Sequence, residues 1–339
     1  MTLPGVEKEI SFEFDREPYK DQVRLLIHSA TGRFQKILRS YTLFNLFFYL
    51  LMTGEIIYFF VHLTFLVQTF VMAIHLALIF ATIFCYFTLH MYAHTWKEEK
   101  LIHLRSDFVQ ACGQMIENPT HRLMIAHACC KLASELHAKE NKIYRCPSWC
   151  IFLISSFEKI NCWWFWEDVH TMKELLLRAC VDEHINLVRM EPTDLGAHAG
   201  LANAYVMLSG LFVDPRTVEG LDDDRWIPRK KYDASFKKKF RLIAEKAIEE
   251  FKILSDYAPH DPWVHAQLAY SYRDLQMKNE EIREYEILLQ LCPEDKEALF
   301  KLGKLYFEQG KNAKGLQVYE TLKRSNYKKA EGLISFYGA

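Results

Sequence analysis

Two stretches near the C-terminal end decide how the chain is read: "WVHAQLAYSYRDLQMKNEEIREYE" (residues 263–286) and "ALFKLGKLYFEQGKNAKGLQVYE" (residues 298–320). Leu268, Ala269, Tyr272 and Tyr285 lie 34 positions before Leu302, Gly303, Tyr306 and Tyr319. Each copy reads as two short amphipathic helices joined by a turn. Ala269 and Gly303 are the small residues that let the second helix approach closely, and Tyr272 and Tyr306 fill the space beside them. Residues 309–312, "QGKN", make the turn, where glycine tolerates the positive φ such turns need. Pro293 ends one unit, because proline cannot continue a helix.

The register extends upstream. Pro259 lies one period before Pro293, with Phe251 and Leu254 at the matching second-helix positions. The first helix that fits them is "DLGAHAGLANAYVMLSG" (residues 194–210), preceded by Pro192, where Leu201, Ala202 and Tyr205 repeat the spacing. This unit therefore carries an insertion of roughly residues 211–236. A still earlier, degenerate unit is read from "THRLMIAHACCKLASELHAKEN" (120–141) and "EDVHTMKELLLRACVDEHINLVRMEP" (167–192).

The pattern Leu302-Gly303, Tyr306, Gly310, Gly315, Tyr319, Leu322 resembles the tetratricopeptide repeat (TPR), a 34-residue helix–turn–helix. The resemblance is good over residues 261–327, fair over 192–259, weak over 118–191, and does not reach the N-terminal part. His265 and Leu299 stand where the family has tryptophan, and Glu281 where it has alanine. The resemblance implies an all-α, right-handed helical solenoid whose concave groove binds peptides or helices and brings no catalytic group. The groove positions it implies are Trp263, Ala266, Tyr270 and Arg273, then Glu297, Phe300, Lys304 and Phe307. Four aromatics flanked by an arginine and a lysine suit a partner with apolar anchors and some acidic character. The alternative is internal: "KKAEGLISFYGA" (328–339) folds back, and Leu333, Ile334 and Phe336 cover part of this strip. Asn203 and Lys304 suit the family's clamp for a C-terminal carboxylate, but Ala199 and Glu297 do not, so no clamp is expected.

From Leu43 to Met91 the chain holds one charge, Glu55. As one helix this stretch would be about 75 Å long, against a bilayer core of roughly 30 Å, so it holds two spans and a turn. A turn near residues 64–69 leaves arms Leu43–Leu63 and Val67–Met91, both long enough to cross. Arg33, Lys36 and Arg39 precede the first arm and Lys97, Lys100 and Arg105 follow the second, which places both ends in the cytoplasm. The competing reading is a pair of buried helices in a soluble protein. A mid-bilayer carboxylate costs about 2.5–3.5 kcal/mol, so Glu55 needs a partner. A turn at position 65 sets Glu55 opposite His75 as an intramembrane polar pair; the other reading is a protonated Glu55 facing another protein surface.

Composition narrows the rest. A net charge of −1 gives no general pull toward nucleic acid. Nine cysteines without a scaffold spacing read as thiols in a reducing compartment. In "CPSWCIFLISSFEKINCWWFWED" (146–168), Cys146, Cys150 and Cys162 with His137 or His170 are a weak zinc set, lacking paired knuckles. Trp149, Trp163, Trp164, Phe165 and Trp166 fit better at a membrane interface or in a packed lid. The basic run of Arg229, Lys230, Lys231, Lys237, Lys238, Lys239 and Arg241 reads either as a lipid contact or as a solvated loop. No catalytic, cofactor or metal site is expected.

The sequence thus predicts an N-terminal amphipathic segment (1–40), a transmembrane hairpin (41–94), a helical connector (95–191) and a repeat domain (192–339). It reads as a non-enzymatic, membrane-tethered adaptor with a protein or peptide ligand in its groove, a bilayer contact and an oligomer as an option. Two alternatives stand beside it. One is an inclusion-membrane type of protein exported by an intracellular bacterium, similar in hydropathy only. The other is a metal-dependent membrane-associated enzyme built on the Cys/His-rich middle region.

Overall fold

The computed structural model describes residues 17–61, 69–114, 121–137, 139–140, 143–144, 154–217, 227 and 231–338. Among these residues the fold is all-α. It divides into two compact units, a helical base within residues 14–179 and a repeat stack within residues 180–339.

The base is built on α1 (Glu17–Val61) and α2 (Thr69–Gly113), two 45-residue helices packed along each other. Both run unbroken across residues 40–41 and 94–95, and both change character there. Near its N-terminal end α1 buries one stripe, Val23, Ile27, Ala30, Phe34, Leu38 and Tyr41, at the spacing of one helix face. The matching part of α2 buries Leu101, Leu104, Phe108 and Cys112. Beyond Tyr41 the stripe gives way to side chains that are apolar all round and exposed: Leu43, Phe47 and Leu50 on α1, Phe80, Phe84 and Met91 on α2. Both helices are long and apolar enough to cross a membrane.

A 15-residue helix and the first part of a 37-residue helix complete the base. Helix α3 (His121–Glu135) packs on α2 and α1, burying Ala128, Cys129 and Leu132. Just past its end His137 lies 3.4 Å from Lys173, within the segment 167–192 that the sequence pairs with it as a degenerate repeat. Helix α4 (Ile154–Met190) begins amphipathic: Cys162, Phe165, Trp166 and Val169 are buried, while Ile160, Trp163 and Trp164 are exposed. Asp168 on α4 meets Lys97 on α2 at 2.6 Å, both side chains largely buried, with the ammonium 4.3 Å from the Tyr41 ring centre. Burial pushes the Asp168 carboxyl above its usual value although Lys97 pulls it down.

Within the hairpin the register differs from the expected one. Tyr86 reaches Asn45 and Tyr49, and His90 reaches Asn45 at 3.0 Å. Further out, the Thr82 hydroxyl donates to Glu55 Oε1 at 2.8 Å. His75 instead stacks on Tyr58 and lies 3.0 Å from the carbonyl of Val71. The Glu55–His75 pair is therefore not formed: Thr82, two helical turns after His75, is the residue that meets Glu55. The reversal itself falls outside the described residues.

The stack consists of helical hairpins α5/α6 (Leu195–Gly210, Ala234–Tyr257), α7/α8 (Pro262–Asp274, Lys278–Leu291) and α9/α10 (Lys296–Glu308, Asn312–Arg324). Each second helix also packs on the first helix of the next hairpin. The expected insertion separates α5 from α6; of it, Pro215–Thr217 form a 3-10 turn, while Arg229 and Lys230 lie outside the described residues.

Local chemistry explains the units. Asp194, Asp261 and Asp295, each two residues after a proline, cap the first helix by accepting from backbone N–H groups of its first turn. The turn inside a hairpin is a left-handed cap: Gly310 has φ 68°, and Lys311 N–H donates to the Tyr306 carbonyl at 2.8 Å. One period earlier Gln276 holds φ 60° without being glycine, and Met277 N–H donates to the Tyr272 carbonyl at 2.9 Å. At the crossing of α9 and α10, a Cβ on Gly303 would come within 2.8 Å of Val318 and of Leu333, so the small residue is required.

The fourth position of the first helix does something the repeat pattern does not suggest. His265 lies with Nδ1 2.7 Å from Glu284 and Nε2 3.0 Å from the Pro259 carbonyl. His198 repeats this with Glu250 at 2.7 Å and Pro192 at 3.0 Å. Both rings are buried, so each pins a hairpin to the connection before it. At His198 burial lowers the ring pKa, but the Glu250 carboxylate and the Pro192 carbonyl outweigh it and the net shift is upward.

The C-terminal end closes the stack. Helix α11 (Ala330–Leu333) and the 3-10 turn Ile334–Phe336 lie on α9, with Leu333 fully buried. Burying a leucine or phenylalanine contributes about 1.5–3 kcal/mol, and this core runs continuously from Ala269 and Tyr285 to Leu322 and Leu333.

Candidate functional site

A cleft of about 630 Å³ opens in the repeat stack where α7, α8 and α9 meet. Arg273 and Gln276 come from the end of α7 and its turn, and Lys278, Glu281 and Tyr285 from one face of α8. The opposite wall is α9, with Glu297, Phe300, Lys301, Lys304, Leu305 and Glu308. Tyr327 and Lys329 close the far side.

The rim is a ladder of charges. Lys278 pairs with Glu308 at 2.7 Å and Lys301 with Glu297 at 3.0 Å, while Lys304 lies 4.0 Å from Glu308. The Lys304 ammonium also sits 4.8 Å above the Phe336 ring, and Lys301 sits 4.8 Å above Tyr270. The hydrogen bond from Lys301 holds the Glu297 carboxyl below its usual value. At Lys301 itself burial lowers the pKa, but Glu297 and Tyr270 prevail and the amine stays above its ordinary value. Five cationic side chains line the cleft against three carboxyls.

The floor differs from the rim. Glu281 is 4% exposed, and burial pushes its carboxyl up to about 7, with Arg273 opposing and Glu308 and Asp274 adding to the rise. One turn on, Tyr285 is 1% exposed, and its buried hydroxyl has no hydrogen-bond partner among the described residues. The matching residues are Ala247 one period before Glu281 and Gly315 one period after it. A carboxyl therefore stands where both neighbouring units place almost no side chain.

The expected strip is partly assembled here. Arg273, Glu297, Phe300 and Lys304 line the cleft. Phe300 is half-buried, 6.2 Å from Tyr327. Tyr270 is half-buried beside it, beneath Lys301 and Arg273. Ala266 packs against the core, and Trp263 sits edge-on to Phe251 outside the cleft. Phe307 is corrected: it is 1% exposed and belongs to the core. Its ring fills the space left by Gly315, where a Cβ would come within 2.5 Å, and Tyr337 packs edge-on against it. Leu333 and Phe336 do fold back, over the Gly303–Lys304 end of α9, and leave Phe300, Lys301 and the floor uncovered.

The aromatic and cysteine-rich segment offers less. Trp149, Cys146 and Cys150 lie outside the described residues. Cys162 is buried, and among the described residues no group of three or more His, Cys, Asp or Glu is placed to hold a metal.

No family model and no curated protein matches the sequence. Among solved structures, a thermophilic TPR protein of Thermus thermophilus is similar over 70% of this chain and 96% of its own, at 15% identity and a TM-score of 0.31. The stack of TPR-like helical hairpins stands on this chain's own period and packing.

Proposed function

We propose that this protein is a membrane-tethered adaptor whose repeat cleft holds a segment of another protein. The observation that carries the cleft reading is the contrast between its floor and the rest of the stack. A largely buried carboxyl, Glu281, lines a groove walled by Phe300, Tyr327 and paired lysines, and the Tyr285 hydroxyl near it is sealed from solvent with no hydrogen-bond partner among the described residues. Holding a carboxyl in a largely buried position is costly, so a site that keeps one is suited to a ligand that bonds to it.

The tether reading rests on the outer halves of α1 and α2. Their exposed side chains are apolar around the whole circumference, as lipid requires and water does not. The lysines and arginines flanking both helices favour a cytoplasmic position for both ends and for the repeats. Trp163 and Trp164 on α4 then suit the headgroup level. A tethered groove works at high local concentration, so modest intrinsic affinity suffices. No catalytic role is proposed for any residue.

Two measurements test this reading. Alkaline carbonate extraction should leave the full chain in the membrane pellet, and protease added to sealed vesicles should find the repeats on the cytoplasmic side. Binding partners recovered by the full chain should be lost from the Phe300→Ala, Lys301→Glu variant; partners kept equally by both exclude the cleft.

A further inference from the structure

The partner's chemistry follows from the same cleft, and this step rests on the adaptor reading. Among the carboxyl, amine and guanidinium side chains of the lining, only Glu281 is almost wholly buried. The charged groups around it come from three helices: Arg273 and Asp274 of α7, Lys278 of α8 itself, and Glu308 of α9. Lys278 and Glu308 neutralise each other at 2.7 Å, and Arg273 is held by Asp274 at 3.1 Å. Among the described residues Glu281 is thus left without a dedicated counter-charge. The groups that act on the Tyr285 hydroxyl, namely Tyr270, Glu281, Arg273 and Glu297, surround the same region.

The balance of charge points one way. With Glu281 ionised the lining has a small cationic excess; with Glu281 neutral the excess grows by one, at the most buried carboxyl of the lining. A neutral carboxyl also gains an O–H donor, which an incoming carboxylate accepts. We infer that the cleft takes an acidic peptide segment together with a proton on Glu281, one ligand carboxylate accepting a hydrogen bond from Glu281 while lysines of the rim face the rest. The buried carboxyl, with its affinity for protons near neutrality, then makes binding proton-coupled.

The test uses the full chain in detergent and a fluorescein-labelled octapeptide of glutamate and tyrosine, with a lysine–tyrosine octapeptide of equal length as control. Affinity for the acidic peptide should be about three- to tenfold tighter at pH 6 than at pH 8, with net proton uptake seen as a buffer-dependent heat of binding. Glu281→Gln should bind equally at both pH values. Lys301→Glu should weaken binding at every pH. Melting curves establish that each variant is folded. If Glu281→Gln does not fold, proton uptake by the unmodified chain decides the matter alone.

Failure of the acidic peptide to bind, pH-independent binding without proton uptake, or preference for the lysine peptide would overturn the inference. Preference for the lysine peptide, lost in Phe300→Ala, would leave the adaptor reading intact. Failure of both peptides and of a random peptide library to engage the cleft would end both. Vesicles of anionic phospholipid that displace the acidic peptide from wild-type but not from Lys301→Glu protein would assign the cleft to a lipid surface instead.

Discussion

His265 and Glu284 are bonded at 2.7 Å across the α7/α8 hairpin, and one period on the same two positions hold Leu299 and Val318. The chain thus contains both solutions to one packing problem, a polar pair and an apolar pair.

That comparison yields a double-mutant cycle. His265→Leu alone leaves the largely buried Glu284 carboxylate and the Pro259 carbonyl without their donor, and should cost about 2–3 kcal/mol. Adding Glu284→Val removes the orphaned charge and should recover about half of that loss or more. Denaturant unfolding of the four proteins measures the coupling.

Glu281 makes stability depend on pH with a definite sign. Its folded pKa, about 7, lies above the model-peptide value of about 4.3. The folded state therefore binds the proton more tightly, its advantage is full below the unfolded value, and it is lost as pH rises through 7. Glu281→Ala, the residue that the preceding unit has in Ala247, should raise stability by about 1–3 kcal/mol at pH 8 and by clearly less near pH 5. Melting temperatures at the two pH values check this.

Gln276 occupies a left-handed turn position that Gly310 fills in the next unit. Gln276→Gly should stabilise the stack by about 0.5–1 kcal/mol, and Gly310→Ala should destabilise it by about 1 kcal/mol. Chemical denaturation of the single variants tests both directions.

In the hairpin, Thr82 and not His75 is the partner of Glu55. Thr82→Val should cost about 0.5–1.5 kcal/mol and should change the cost of Glu55→Gln, whereas His75→Leu and Glu55→Gln should be additive. Thermal inactivation in detergent supplies the comparison.

These residues also mark what the sequence discloses. The period was legible because it rests on close approach: Ala269, Gly303 and the Pro–x–Asp starts recur, and the structure uses them as small contacts and helix caps. The P-x-D-x-x-x-H pattern shared by Pro192–His198 and Pro259–His265 was equally visible in the sequence, yet His265 read only as a departure from tryptophan. What it does depends on Glu250 or Glu284 coming round on the second helix, which no local spacing reveals. Phe307 misled for a similar reason: its helix face points to the groove, but the socket at Gly315 draws it into the core. The register of the hairpin was not readable because no proline or polar cluster fixes its turn, and a shift of a few residues brings a different side chain opposite Glu55.

The most direct measurement of the central claim places a photo-crosslinking amino acid at position 300, in the cleft, and at position 320, on the exposed face of α10, in the full chain held in membranes. The account predicts that an acidic peptide is captured from position 300 and not from 320, and that Lys301→Glu abolishes the capture. Equal capture from both positions, or capture from position 300 that Lys301→Glu leaves unchanged, would contradict it.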